Sequence, residues 1–339
     1  MGAPPERLRE DEPNVKQGRP YPGICQAIWL LVLAILLQLG LSIGAFVLGQ
    51  FLALPLARHP SAFGAINVMT FGLVLLWALR RTHASLAEVL PLGPIRPALA
   101  LPMVLSVLGL SILLSEMDNL FRTFLPVPEW FGATLSSLVS GRVSLWGSIV
   151  SAVIVAPITE ELLFRGVILH GFLRRYPVRV ALGASAILFA LVHLNPWQFL
   201  GAFCLGLVLG WWLLKTRSLL PCILGHALNN ALPLIVSELL GMHIPGYTGE
   251  MRVQVEFQPP WFDLLGALLL GAGLLVLAHM WKGAAGLAQV SGSGGAPPAP
   301  ESDVGGEGGP GADPAVASGC RPPGHRAPGQ FLRREEDVP

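Results

Sequence analysis

The chain has 339 residues, 53% of them hydrophobic and only 13% charged, with a formal net charge of +1. Soluble domains carry about 25% charged residues, so this composition belongs in a lipid bilayer. The near-zero net charge argues against a nucleic-acid partner, whose mark is a concentrated basic patch. Four cysteines without a Cys-x-x-Cys spacing exclude a disulfide framework, and buried free thiols are the expectation for Cys25, Cys204 and Cys222.

A spanning helix needs about 20 mostly apolar residues. Residues 1–23 are polar, and the first apolar run, 24–54, is too long for a signal-peptide core, so it is expected to be an uncleaved anchor. Spans are then expected at 61–79 and 97–115. A mixed stretch at 128–140 is expected to lie at the membrane interface. Further spans are expected at 146–173, 179–195, 197–214, 219–237 and 262–281, giving eight and an all-α polytopic bundle. Residues 283–339 hold 13 glycines and 9 prolines in 57 positions, a composition expected to stay disordered. The organisation expected is a polar N-terminus (1–23), N-terminal spans (24–144), a central core (145–237), a loop with the last span (238–282) and the tail (283–339).

Lysine and arginine placement sets the expected orientation. Alternate inter-span compartments hold thirteen of these residues against four when the tail is left aside. The richer set includes Arg80, Arg81, Arg96, Arg174, Arg175, Arg179, Lys215, Arg217 and Lys282. Both termini are therefore expected on the cytoplasmic face of the cell membrane.

Charged and strongly polar groups inside spans cost free energy and are functional candidates by default. Here they are Glu160, Glu161 and Arg165 in the fourth span, His193 in the fifth, and His226, Asn229 and Asn230 in the seventh. Glu161 and Arg165, at i and i+4, share a helix face and are expected to pair. Glu160 is turned about 100° away and is expected to aim at the histidines of the fifth and seventh spans, where it suits a general base or acid. Pro157 breaks the backbone ladder just upstream. Counting from Arg174 and Arg179, Glu160 and His193 both lie about 21 Å from the basic interface. His226, counted from Arg217, lies about 14 Å deep.

These residues carry a resemblance. Glu160-Glu161-x-x-x-Arg165, Phe189-x-x-x-His193 and His226-x-x-x-Asn230, in that order on successive spans, resemble the three motifs of the CPBP intramembrane proteases. That family includes the CaaX prenyl endopeptidases and the bacterial Abi-type proteins. The likeness covers about residues 145–236, and its wording, "APITEELLFRG", "FALVHL" and "LLPCILGHALNN", is similar to the bacterial branch. The resemblance implies peptide-bond hydrolysis on a membrane-associated peptide or protein. Glu160 would activate water with His193, His226 and Asn230 would stabilise the oxyanion, and Glu161 and Arg165 would hold the site together, with Phe189 packing one turn from His193. A metal-dependent form of the family implies instead a zinc ion on Glu160, His193 and His226. Two histidines and a carboxylate also make a reasonable zinc set, and the sequence leaves both accounts open.

Other intramembrane chemistries fit poorly. There is no His-Glu-x-x-His and no Gly-x-Gly-Asp. "GLSIG" at 40–44 lies within a span rather than on the strand-turn-helix that a nucleophile elbow needs. A non-catalytic scaffold or immunity-type binder, held by the same residues as a polar clamp, remains the alternative from another class. A transporter is disfavoured because no inverted repeat is visible.

Overall fold

The computed structural model describes residues 20–54, 60–131, 147, 149–248 and 255–292. The N-terminal residues 1–19, most of the expected interfacial stretch (132–140) and the tail beyond 292 lie outside the described residues. Within them the protein is all helix and turn, with no strand.

Eight helical runs follow the expected spans: α1 (Ile24–Leu52), α2 (Pro60–Arg81), α3 (Ala100–Phe124), α4 (150–173), α5 (Val178–Val192), α6 (Pro196–Thr216), α7 (Leu220–Leu234) and α8 (Pro260–Gly292). A short helical turn, Pro97–Leu99, leads into α3, and a wide turn, Ile235–Leu239, extends α7. Five of these runs are each long and apolar enough to cross a membrane: α1, α3, α6, α7 and α8. The boundary expected at 282 moves, because α8 continues to Gly292. Its added stretch, "GAAGLAQ", is rich in alanine, the strongest helix former, which carries the helix past two glycines.

The helices alternate in direction, and the contacts at each end show it. At one end, Arg175 Nη1 donates to the Pro20 carbonyl (3.2 Å) and the Ile24 amide donates to Tyr176 Oη (3.1 Å). The Arg81 guanidinium lies 4.9 Å from the Trp77 ring centroid there. Leu219 N donates to the Pro91 carbonyl (2.7 Å), and Trp211 packs edge-on against Trp281 (4.6 Å). The cations of the loops 80–96, 174–179 and 215–217 and of Lys282 are therefore gathered at this end. At the other end, Trp197 Nε1 donates to the Leu125 carbonyl (2.6 Å) and Asn119 to the Gly246 carbonyl (2.8 Å).

Two local features set the site's depth and shape. Helix α5 has only 15 residues, about 22 Å at 1.5 Å per residue, against a hydrocarbon core of about 30 Å. Its C-terminal turn, residues 193–195, therefore comes short of a full crossing. The Asn195 side chain accepts from Trp197 N at 3.1 Å and so caps α6 there. In α4, Pro157 cannot donate to the ladder, and the helix is not uniform around it. Wide π-type turns, Val150–Val155 and Leu162–Leu169, flank an ordinary helical turn, Ala156–Glu161, which carries both glutamates. Such widened turns re-aim side chains and recur at functional sites. Helices α5 and α6 approach closely at glycines. A Cβ on Gly206 would stand 3.1 Å from Ala186, and one on Gly210 would stand 2.8 Å from Leu182. The Gly206/Gly210 stripe is thus a close helix contact.

Candidate active site

The fourth span brings its two glutamates into separate clusters. Glu161 is fully buried and its Oε1 accepts from Arg165 Nη1 at 2.7 Å, the i,i+4 pair expected from the sequence. The same oxygen lies 2.9 Å from His226 Nδ1 of α7. Arg165 is 2% exposed and has two further contacts: the Gly206 carbonyl at 3.4 Å and the face of Phe189, 4.1 Å from the ring centroid. Thus one carboxylate anchors two basic side chains from two helices.

Glu160 is also buried, and its Oε2 lies 3.9 Å from His193 Nε2. That separation is too long for a direct hydrogen bond. The expectation that Glu160 faces both histidines needs correction: it faces His193, while His226 sits on Glu161. The physical reason is the second contact of Arg165. Held against Phe189 and Gly206, Arg165 fixes Glu161 on the side where α7 packs, leaving Glu160 on the side of the α5 terminus.

Hydrogen bonds fix where protons reside. His193 Nδ1 lies 2.8 Å from the Phe189 carbonyl, which can only accept, so Nδ1 carries a proton. In the neutral ring Nε2 then presents a lone pair toward Glu160. His226 Nδ1 faces an oxygen already bound by Arg165, so it too is the donor, toward a carboxylate. The Phe189 ring ties these groups together, with edge-on contacts to His193 (5.1 Å), His226 (5.5 Å) and Phe164 (5.4 Å) in addition to Arg165 on its face. The packing expected of it thus extends to His226 and Arg165 as well as His193.

Asn230 Nδ2 donates to the Ala152 carbonyl at 2.9 Å, within the first widened turn of α4, and its Oδ1 accepts from Asn229 at 3.3 Å. One amide hydrogen of Asn230 is therefore committed to α4 and the second is not. The sequence reading misses a further polar contact beside Glu160. Thr159 Oγ1 lies 2.8 Å from Asn67 Oδ1, which joins α4 to α2. Asn67 is 5% exposed, and a lone amide in the apolar run "AINVMTFG" is itself a signal of buried polar structure.

Two carboxylate oxygens, Glu160 Oε2 and Glu161 Oε2, are buried without a hydrogen-bond partner among the described residues. A buried acceptor of this kind calls for a water or a substrate group. The metal set does not fit. Among the described residues no three His, Cys, Asp or Glu side chains are grouped to hold a metal ion. Glu160, His193 and His226 are divided between two clusters, Glu160 with His193 and His226 with Glu161. Beside this centre, α2 and α4 enclose an apolar groove of about 580 Å³ lined by Gly64, Ala65, Val68, Met69, Ser151 and Val155, among others. Val68 and Met69 are about half exposed, so the groove opens to the surface.

Residues 142–232 match the family described as type II CAAX prenyl endopeptidase Rce1-like. No curated protein and no solved structure matches the chain. The matched segment contains the two glutamates, both histidines and Asn230, and it is over these residues that the chain is similar to that family.

Proposed function

We propose that the protein is an intramembrane endopeptidase that cleaves a membrane-associated peptide or protein with a glutamate-activated water. The observation that carries the reading is the Glu160–His193 geometry. Two acceptors 3.9 Å apart suit a single water held by both of its hydrogens. With hydrogen bonds of about 2.7 Å, the angle at the water oxygen is roughly 90°, near the opening of the water molecule itself. Its lone pairs then point away from both acceptors, toward a scissile carbonyl. Glu160 takes the proton as the oxygen attacks, and His193 Nε2 serves as the second proton site for passage to the leaving amine.

His226 supplies the oxyanion contact in this reading. Because Nδ1 is committed to Glu161, Nε2 carries a proton only in the imidazolium form. Arg165, Glu161 and His226 then sum to one positive charge, the sign a developing oxyanion requires. The uncommitted amide hydrogen of Asn230 is the second donor. The apolar groove between α2 and α4 ends about 8 Å along α4 from Glu160, which supports a substrate that arrives through the bilayer. No step requires a metal ion.

The test compares peptide termini in wild-type and Glu160→Ala cells, followed by cleavage of the identified substrate with purified protein. The expected result is a set of new termini present only in the wild type and absent with Glu160→Gln. A full set of products in the Glu160→Gln protein would end this reading. The outcome would then favour a scaffold in which the same residues only clamp helices.

A further inference from the structure

The backbone just before the two glutamates lacks one hydrogen-bond donor. In the first widened turn of α4 the Ala156 amide donates to the Ser151 carbonyl, five residues back. In that register the next bond would run from residue 157 to the Ala152 carbonyl. Residue 157 is proline and has no N–H. The ordinary i+4 donor to Ala152 is the Ala156 amide, which is already engaged by Ser151. The Ala152 carbonyl is therefore left without a partner from the ladder of its own helix.

Helix α7 supplies the missing donor. Asn230 Nδ2 donates to the Ala152 carbonyl at 2.9 Å. A carbonyl freed by proline is tolerated among apolar helices where a neighbouring helix bonds it, and here that neighbour is a residue of the site itself. Asn230 lies one turn beyond His226, whose Nδ1 meets Glu161 Oε1 at 2.9 Å. Helix α7 is thus held to α4 at two points, one on each side of Pro157.

The bond also decides which way the amide is turned. A carbonyl can only accept, so it selects the nitrogen edge of Asn230. Oδ1 accepts from Asn229 at 3.3 Å, and the second Nδ2 hydrogen is left for a substrate oxygen. With the amide turned over, Oδ1 would take the place of Nδ2. An acceptor would then oppose the negative charge that develops on that oxygen.

We propose that Pro157 is a positioning residue for this site: by withholding an amide hydrogen it leaves the Ala152 carbonyl to Asn230, which holds α7 against α4 and fixes the Asn230 amide with one donor free. The catalytic half of this proposal rests on the protease reading, and the hydrogen-bond half does not. Pro157→Ala returns an N–H in register with the Ala152 carbonyl, at a position already within a helical turn. Thermal unfolding of the full-length protein in detergent tests the bond without any substrate. Asn230→Ala in the wild type is expected to lower the melting temperature by about 3 °C, by stranding a carbonyl. In the Pro157→Ala protein the same change is expected to lower it by less than about 1 °C, because the backbone then bonds Ala152. Equal losses in the two backgrounds overturn the proposal. Should Asn230→Ala by itself fail to fold, recovery of folded protein by Pro157→Ala supports the bond, and no recovery overturns it. Cleavage kinetics on the substrate found by the termini comparison test the catalytic half. Pro157→Ala is expected to lower kcat at least about threefold, with KM and stability kept, and to lower it no further once Asn230 is alanine. An undiminished kcat, or a loss by the same factor in both backgrounds, overturns the positioning role. A wild type that cleaves nothing refutes the protease reading, and the unfolding comparison then decides the Ala152–Asn230 bond by itself.

Discussion

Replacing Glu161 with glutamine removes one charge from a cluster that joins four helices, α4, α5, α6 and α7. In the wild type, Glu161 Oε1 accepts from Arg165 at 2.7 Å and from His226 at 2.9 Å, with Glu161 and Arg165 at 0% and 2% exposure. Glutamine keeps an acceptor oxygen of similar reach but leaves the Arg165 guanidinium buried without a counter-charge. Breaking one side of a buried pair costs about 3–5 kcal/mol. The retained hydrogen bond and the Phe189 ring face put this case at the lower end, about 3 kcal/mol. In a chain of this size that corresponds to a melting-temperature drop of about 5 °C. The assay is thermal unfolding in detergent beside a cleavage measurement made well below the transition. Glu161→Gln with Arg165→Met should be less destabilised than Glu161→Gln alone, because no uncompensated charge remains. A Glu161→Gln protein as stable as wild type would refute the anchor role. A stable but inactive one would show that Glu161, rather than Glu160, is the base.

Glu160→Gln should behave in the opposite way, since no arginine or lysine depends on it: unfolding within about 1 kcal/mol of wild type and turnover reduced at least about 100-fold, read from the same pair of assays. Gly206→Leu should destabilise by about 1–3 kcal/mol, because even a Cβ there would stand 3.1 Å from Ala186 and the helices would have to separate; equilibrium unfolding checks it. Incubation with 1,10-phenanthroline should leave cleavage unchanged, and a loss restored by added zinc would contradict the two-cluster arrangement. Reporter fusions after residues 96, 177 and 282 should all report one face of the membrane, since the structure gathers these positions at one end; a fusion at 177 on the opposite face from 96 would refute the alternating order.

Much of the protein was legible in its sequence for a local reason. Hydropathy over about twenty residues marks a span whatever it packs against, so the helical runs could be read directly, five of them long and apolar enough to cross a membrane. The Glu161–Arg165 pair could also be read, because i and i+4 face each other on any helix. The rotation of one helix about its axis against another is a different matter, since it depends on how the apolar faces fit. It is the packing of α7 that gave His226 to Glu161, leaving Glu160 to His193 alone. The packing of α5 on α4 and α6 made Phe189 the common neighbour of Arg165 and both histidines, a role that no spacing rule assigns. Asn67 reached Thr159 only because α2 lies against α4. The boundary of α8 moved because alanines outweighed two glycines within a single helix. Composition and periodicity determined the residues available to the site, whereas interhelical packing decided which carboxylate each basic group would meet.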